Sequence, residues 1–126
     1  MTNIPIEKNT DRELPVPTVW RAALTELADS FVLNGFNSSK STFLSRAIDE
    51  DIIKINKSNI ENYPDQIGML IQKSWDTSVY VWTGKDWSVL VDLSTSDGKT
   101  SDLVMHTTVR EVAGSYKIKA GLIYVP

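Results

Sequence analysis

The chain contains no cysteine. That excludes disulfides, thiolate metal sites, cysteine nucleophiles and iron–sulfur clusters, and it suits a reducing compartment such as the cytoplasm. There is one histidine, His106, so a multi-histidine metal centre cannot form. No apolar run approaches the roughly 18 residues that a membrane span requires. The opening stretch, MTNIPIEKNTDRE, lacks the apolar core of a secretory signal. A basic excess is also missing: 13 Lys and Arg stand against 16 Asp and Glu, a formal net charge of −3. Proteins that hold nucleic acid through its phosphates normally carry a basic stripe, so direct nucleic-acid binding is not expected. Neither is a membrane location or a bound cofactor.

What is present is the balance of a globular domain. Of 126 residues, 41% are hydrophobic and 9% aromatic, enough for a single domain with its own core. Residues 1–15 are polar and without periodicity, and are expected to form a loose arm. From Thr18 to Asn34 the spacing of Val19, Trp20, Ala23, Leu24, Leu27, Phe31 and Val32 marks an amphipathic helix, with Gly35 as its stop. Residues 37–42 read as a loop. Phe43, Leu44, Ala47 and Ile48 fit a short helical or irregular piece. Ile52, Ile53 and Ile55 suggest a short strand near 51–55. Ser58 to Glu61 matches a capping box that opens a second helix. Residues 16–72 thus form a mainly helical half.

After Trp75 the period changes to two. Segments 76–83, 87–93, 102–111 and 116–125 are rich in Val, Ile, Thr, Tyr and Trp, and short polar stretches with Gly separate them. This predicts a four-stranded antiparallel meander over residues 75–126. The fold class is then α+β, with N-terminal helices on one face of the sheet. Alternation favours Val81 opposite Val89 in the first hairpin, over a tighter loop with Trp82 opposite Trp87. The favoured register puts Val79, Val81, Val89, Val91, Leu93, Leu103, Met105, Val109, Ile118, Ala120 and Leu122 in the core. Tyr80, Trp82, Asp92, His106 and Arg110 then share the open face, a mixture typical of contact surfaces.

No phosphate loop, dinucleotide fingerprint or nucleophile elbow occurs. Asp49, Glu50 and Asp51 are adjacent but lack the spacing and glycine of a calcium loop, and read as a solvated acidic turn. His106 is the one side chain that ordinarily titrates near neutrality. With Asp92 on its face it could act as a general base, but hydrogen-bonding surface groups of this kind are commoner.

The sheet half carries an ordered set of elements: Trp75-Asp76-Thr77-Ser78-Val79-Tyr80-x-Trp82, Val89-Leu90-Val91-Asp92-Leu93, Ser101-Asp102-Leu103-Val104 and Tyr124-Val125-Pro126. In these it resembles a family of short bacterial domains of unestablished function, which supplies no catalytic residues. In size, charge and style, though not in motif, the chain also resembles the immunity proteins of bacterial toxin–immunity systems, including contact-dependent growth inhibition. That resemblance implies a cytoplasmic, non-catalytic antitoxin, monomer or homodimer, whose partner is a cognate toxin domain. Many such toxins are basic nucleases. Asp49, Glu50 and Asp51 would steer the encounter, and Tyr80, Trp82, Asp92, His106 and Arg110 would form the contact set. The alternative is a small-molecule-binding or enzymatic domain with an aromatic-lined pocket between helices and curved sheet.

Overall fold

The structure, a computed structural model, describes residues 4–9, 11–33, 43–45 and 47–126. The expected helix stop at Gly35 and the loop at 37–42 lie outside the described residues. The elements run β1 (Leu14–Pro15), α1 (Thr18–Leu33), α2 (Glu50–Asn62), a 3-10 turn (Gln72–Asp76), β2 (Val79–Trp82), β3 (Trp87–Ser94), β4 (Thr100–Val112) and β5 (Ser115–Tyr124). The class is α+β. The sheet has five antiparallel strands in the order β1-β2-β3-β4-β5, one more than expected. The extra strand comes from the N-terminal arm, where Leu14 pairs with Tyr80 and Pro15 with Val79.

The arm is not loose where it is described. The Ile4 amide donates to Thr18 Oγ1 at 2.8 Å, so that hydroxyl ties the arm to the start of α1. Glu7 bridges two core aromatics. Its amide donates to the Tyr80 hydroxyl at 2.8 Å, and its carbonyl accepts from the Trp87 indole at 3.0 Å.

α1 buries Trp20, Leu24, Leu27, Ala28 and Phe31, while Val19 points outward. The Trp20 ring meets Tyr80, Trp87 and Tyr116 edge-on, with centroids 5.5, 5.3 and 5.7 Å away. Edge-to-face pairs of this kind add about 0.5–1.5 kcal/mol each beyond burial. They fix α1 on the sheet face that carries Tyr80, Trp87, Val89, Val91, Met105, Val109, Ile118 and Ile123.

The first hairpin takes the register not favoured above. Trp82 pairs with Trp87, and Tyr80 with Val89. The Thr83 amide donates to the Asp86 carbonyl at 2.8 Å, which leaves Gly84 and Lys85 as the tip. Gly84 has φ +103°, a conformation that strains an L side chain. The shift moves Tyr80 and Trp82 to the covered face and turns Val79 and Val81 outward. The larger aromatic area is thereby buried under α1 and the arm, which outweighs keeping two valines inside.

α2 also departs from expectation. Residues 51–55 are helical, and Ser58 lies inside the helix rather than opening it. Asp49 is the N-cap and accepts from the Asp51 amide at 2.8 Å. Glu50 and Asp51 occupy the first turn, where carboxylates complement the helix dipole. Pro64 follows the C-cap residue Tyr63 and cannot extend the helix.

α2 lies along β5, the outer strand of the sheet. Asn56 is fully buried. Its amide donates to the Gly121 carbonyl at 2.9 Å and its oxygen accepts from the Ile123 amide at 2.7 Å. Asn59 donates to the Ile123 carbonyl at 2.7 Å. Further along the same edge, the Ile118 amide donates to the Phe43 carbonyl at 2.8 Å, and the Ser45 amide to the Ile118 carbonyl at 2.9 Å. Side chains of a helix and a short parallel segment therefore replace the missing sixth strand.

Candidate functional site

β3, β4 and β5 alternate, and that alternation builds the sheet face opposite α1. Leu90 pairs with His106, Asp92 with Val104, and Ser88 with Thr108. Thr108 pairs in turn with Lys119, and Arg110 with Lys117. Asp92, His106 and Arg110 are brought together on one face, as expected, beside half-buried Val79, Val81 and Leu90. Tyr80 and Trp82 are not part of it. Tyr80 is only 1% exposed, and burial raises its hydroxyl pKa above the usual value. Trp82 stacks at a tilt on Trp87, centroids 4.7 Å apart, with the Lys8 ammonium 5.1 Å from its ring.

His106 does not meet Asp92. Its Nε2 shares a 2.8 Å hydrogen bond with Ser88 Oγ, and Asp92 accepts from the Thr77 hydroxyl instead. Desolvation lowers the His106 pKa below its ordinary value, which favours the neutral ring. A serine beside an imidazole supplies two of the three members of a nucleophilic triad. Here, however, no carboxylate hydrogen-bonds the ring among the described residues. Ser88 also sits mid-strand, where the ladder engages the backbone amides that an oxyanion hole would need. The pair acts as a cross-strand hydrogen bond. No three His, Asp or Glu side chains cluster as a metal site among the described residues.

Arg110 lies 3.7 Å from the carboxylate of Asp86, a residue held in the hairpin by Thr83 Oγ1 at 2.7 Å. With Lys117 directly opposite and Lys119 two residues on, three cations share one end of this face.

A bulge shapes the other end. Met105 pairs with Ile123 but Thr107 with Ala120, so β5 holds one extra residue opposite His106. Gly121 occupies that bulge, and a Cβ there would lie 2.6 Å from the His106 carbonyl oxygen. Between the bulge and the start of α2 lies a half-open cleft of about 600 Å³. Ile48 and Ile52 face Leu122 and Tyr124 across it. His106, Thr108 and Lys119 form its sheet end, and Asp49 its helix end. Of the acidic triplet, Asp49 is thus placed at the rim of the face that holds His106. The space under α1 is filled by core side chains, and this cleft lies at the β5 edge. Sequence reasoning missed this cleft: it left Ile52 in a strand and put Leu122 in the core, whereas Leu122 is exposed here. The Gly between Ala120 and Leu122 was the one visible signal of the cleft.

Residues 28–126 match a family described as a domain of unknown function, DUF7668. The match begins inside α1 and includes α2 and strands β2 to β5. No curated protein and no solved structure matches the chain. The chain belongs to the DUF7668 family.

Proposed function

We propose that this DUF7668 domain is a non-catalytic protein-binding module, an immunity protein that neutralises a cognate toxin domain by direct contact. One observation carries the reading. Asp92, His106 and Arg110 stand on a single sheet face with half-buried Val79, Val81 and Leu90, opposite the face packed under α1. Apolar area ringed by charges of both signs suits a contact surface. Asp49 at the N-cap of α2, with Glu50 and Asp51 in its first turn, adds a local negative field that steers a basic partner. Tyr80 and Trp82 have no part in this contact set, since both belong to the covered face.

The test is co-purification of the chain with the polypeptide encoded beside its gene, together with rescue of growth when that polypeptide is expressed. A stable complex is expected, weakened about tenfold or more by the charge reversals Asp92→Lys and Arg110→Glu. Absence of both complex and rescue overturns the reading.

A further inference from the structure

The cleft at the β5 bulge has an electrostatic direction. At its helix end the Asp49 carboxylate is occupied, accepting from the Asp51 amide at 2.8 Å. At its sheet end Lys119 and Thr108 also border an adjoining groove of about 330 Å³, flanked by Arg110 and Lys117. Negative charge therefore lies at one end and positive charge at the other. Between them the walls are aliphatic: Ile48 and Ile52 on the α2 side, Leu122 on the β5 side. Leu122 is 39% exposed, a large apolar side chain held open to solvent beside a ring of polar groups.

Two details make the polar end receptive. Ser88 holds the His106 ring through Nε2. Nδ1 has no hydrogen-bond partner among the described residues, and it lies 3.1 Å from the place a Cβ on Gly121 would take. His106 packs so closely on Gly121 that no larger residue fits there, and its ring keeps one nitrogen that can still hydrogen-bond. The volume also falls in the roughly 300–1,000 Å³ range of small-ligand sites, which are mostly apolar with a few placed polar groups.

We propose that this cleft binds a small amphiphilic anion, its charged head at Lys119 and its apolar body between Ile52 and Leu122. The cleft shares Asp49 and His106 with the proposed contact surface, but a small ligand needs no second chain to bind there. A monocarboxylate with an aliphatic tail is the simplest such ligand. Asp49 at the far end excludes the reversed orientation by like-charge repulsion.

The test is titration of the full chain with octanoate and, separately, with uncharged octanol, read by amide chemical shifts in nitrogen–proton correlation spectra. Saturable shifts are expected at His106, Thr108, Lys119 and Leu122. Lys119→Met should weaken octanoate about tenfold, the worth of one charge-assisted hydrogen bond, and leave octanol unchanged. Leu122→Asp should weaken both. Both positions are exposed, so the variants keep the fold. Three results would each overturn the proposal: equal binding of octanoate and octanol, non-saturating shifts over the whole charged surface, or an unaltered octanoate titration in Lys119→Met.

Discussion

Ala113 is the one non-glycine residue with a positive φ among those described, at +51°. It forms a two-residue tip with Gly114, at φ +80°, between the paired residues Val112 and Ser115. Tips with two positive φ values favour Asn or Asp followed by Gly, and an alanine there carries about 1 kcal/mol of strain. Ala113→Asn should therefore raise stability by about 0.5–1 kcal/mol, read as a higher urea midpoint with unchanged slope. Asp92, His106 and Arg110 were legible at this scale, because alternation along β3 and β4 fixes their side whatever the first hairpin does. Tyr80 and Trp82 were not. Alternation in β2 favoured the register that keeps Val79 and Val81 inside, and the contacts that override it come from Glu7 and Trp20, far away in the chain.

Among the elements, α1 and the long strands could be read from their periods, whereas α2 could not. Ile52, Ile53 and Ile55 have the look of a strand, and only the Asp49 cap and the packing against β5 make them helical. Tertiary contact overrode local preference, as it often does for β-branched residues. The central contact is Asn56, whose side chain pairs two backbone groups of β5. Asn56→Ala would leave the Gly121 carbonyl and the Ile123 amide buried and unpaired. We expect a loss of about 2–4 kcal/mol, measured by urea unfolding. Asn59→Ala, which frees a single carbonyl, should cost about half as much. A small, equal effect of the two would show that water replaces both.

For the whole molecule, the arm decides how the sheet is closed. β1 could not be recognised from sequence, since two residues ending in proline carry no strand pattern. Yet Glu7 serves both the Tyr80 hydroxyl and the Trp87 indole, and Ile6 packs against the core. Removal of residues 1–9 should lower stability by about 2–5 kcal/mol. The Trp emission should shift to the red as the Trp87 edge is wetted, while the helical and strand content is retained. The cleft was invisible at this scale for a related reason: it exists only where α2 meets the bulge in β5.

The ring contacts of Trp20 have a consequence for how the protein is made. Its partners Tyr80, Trp87 and Tyr116 all lie in the second half of the chain. On the ribosome, α1 emerges early, and these partners follow only with the first hairpin and, for Tyr116, with β5. Its apolar stripe, with Leu24, Leu27 and Phe31, is therefore uncovered until the sheet half follows, which makes the nascent chain a natural client for chaperones that hold exposed hydrophobic helices.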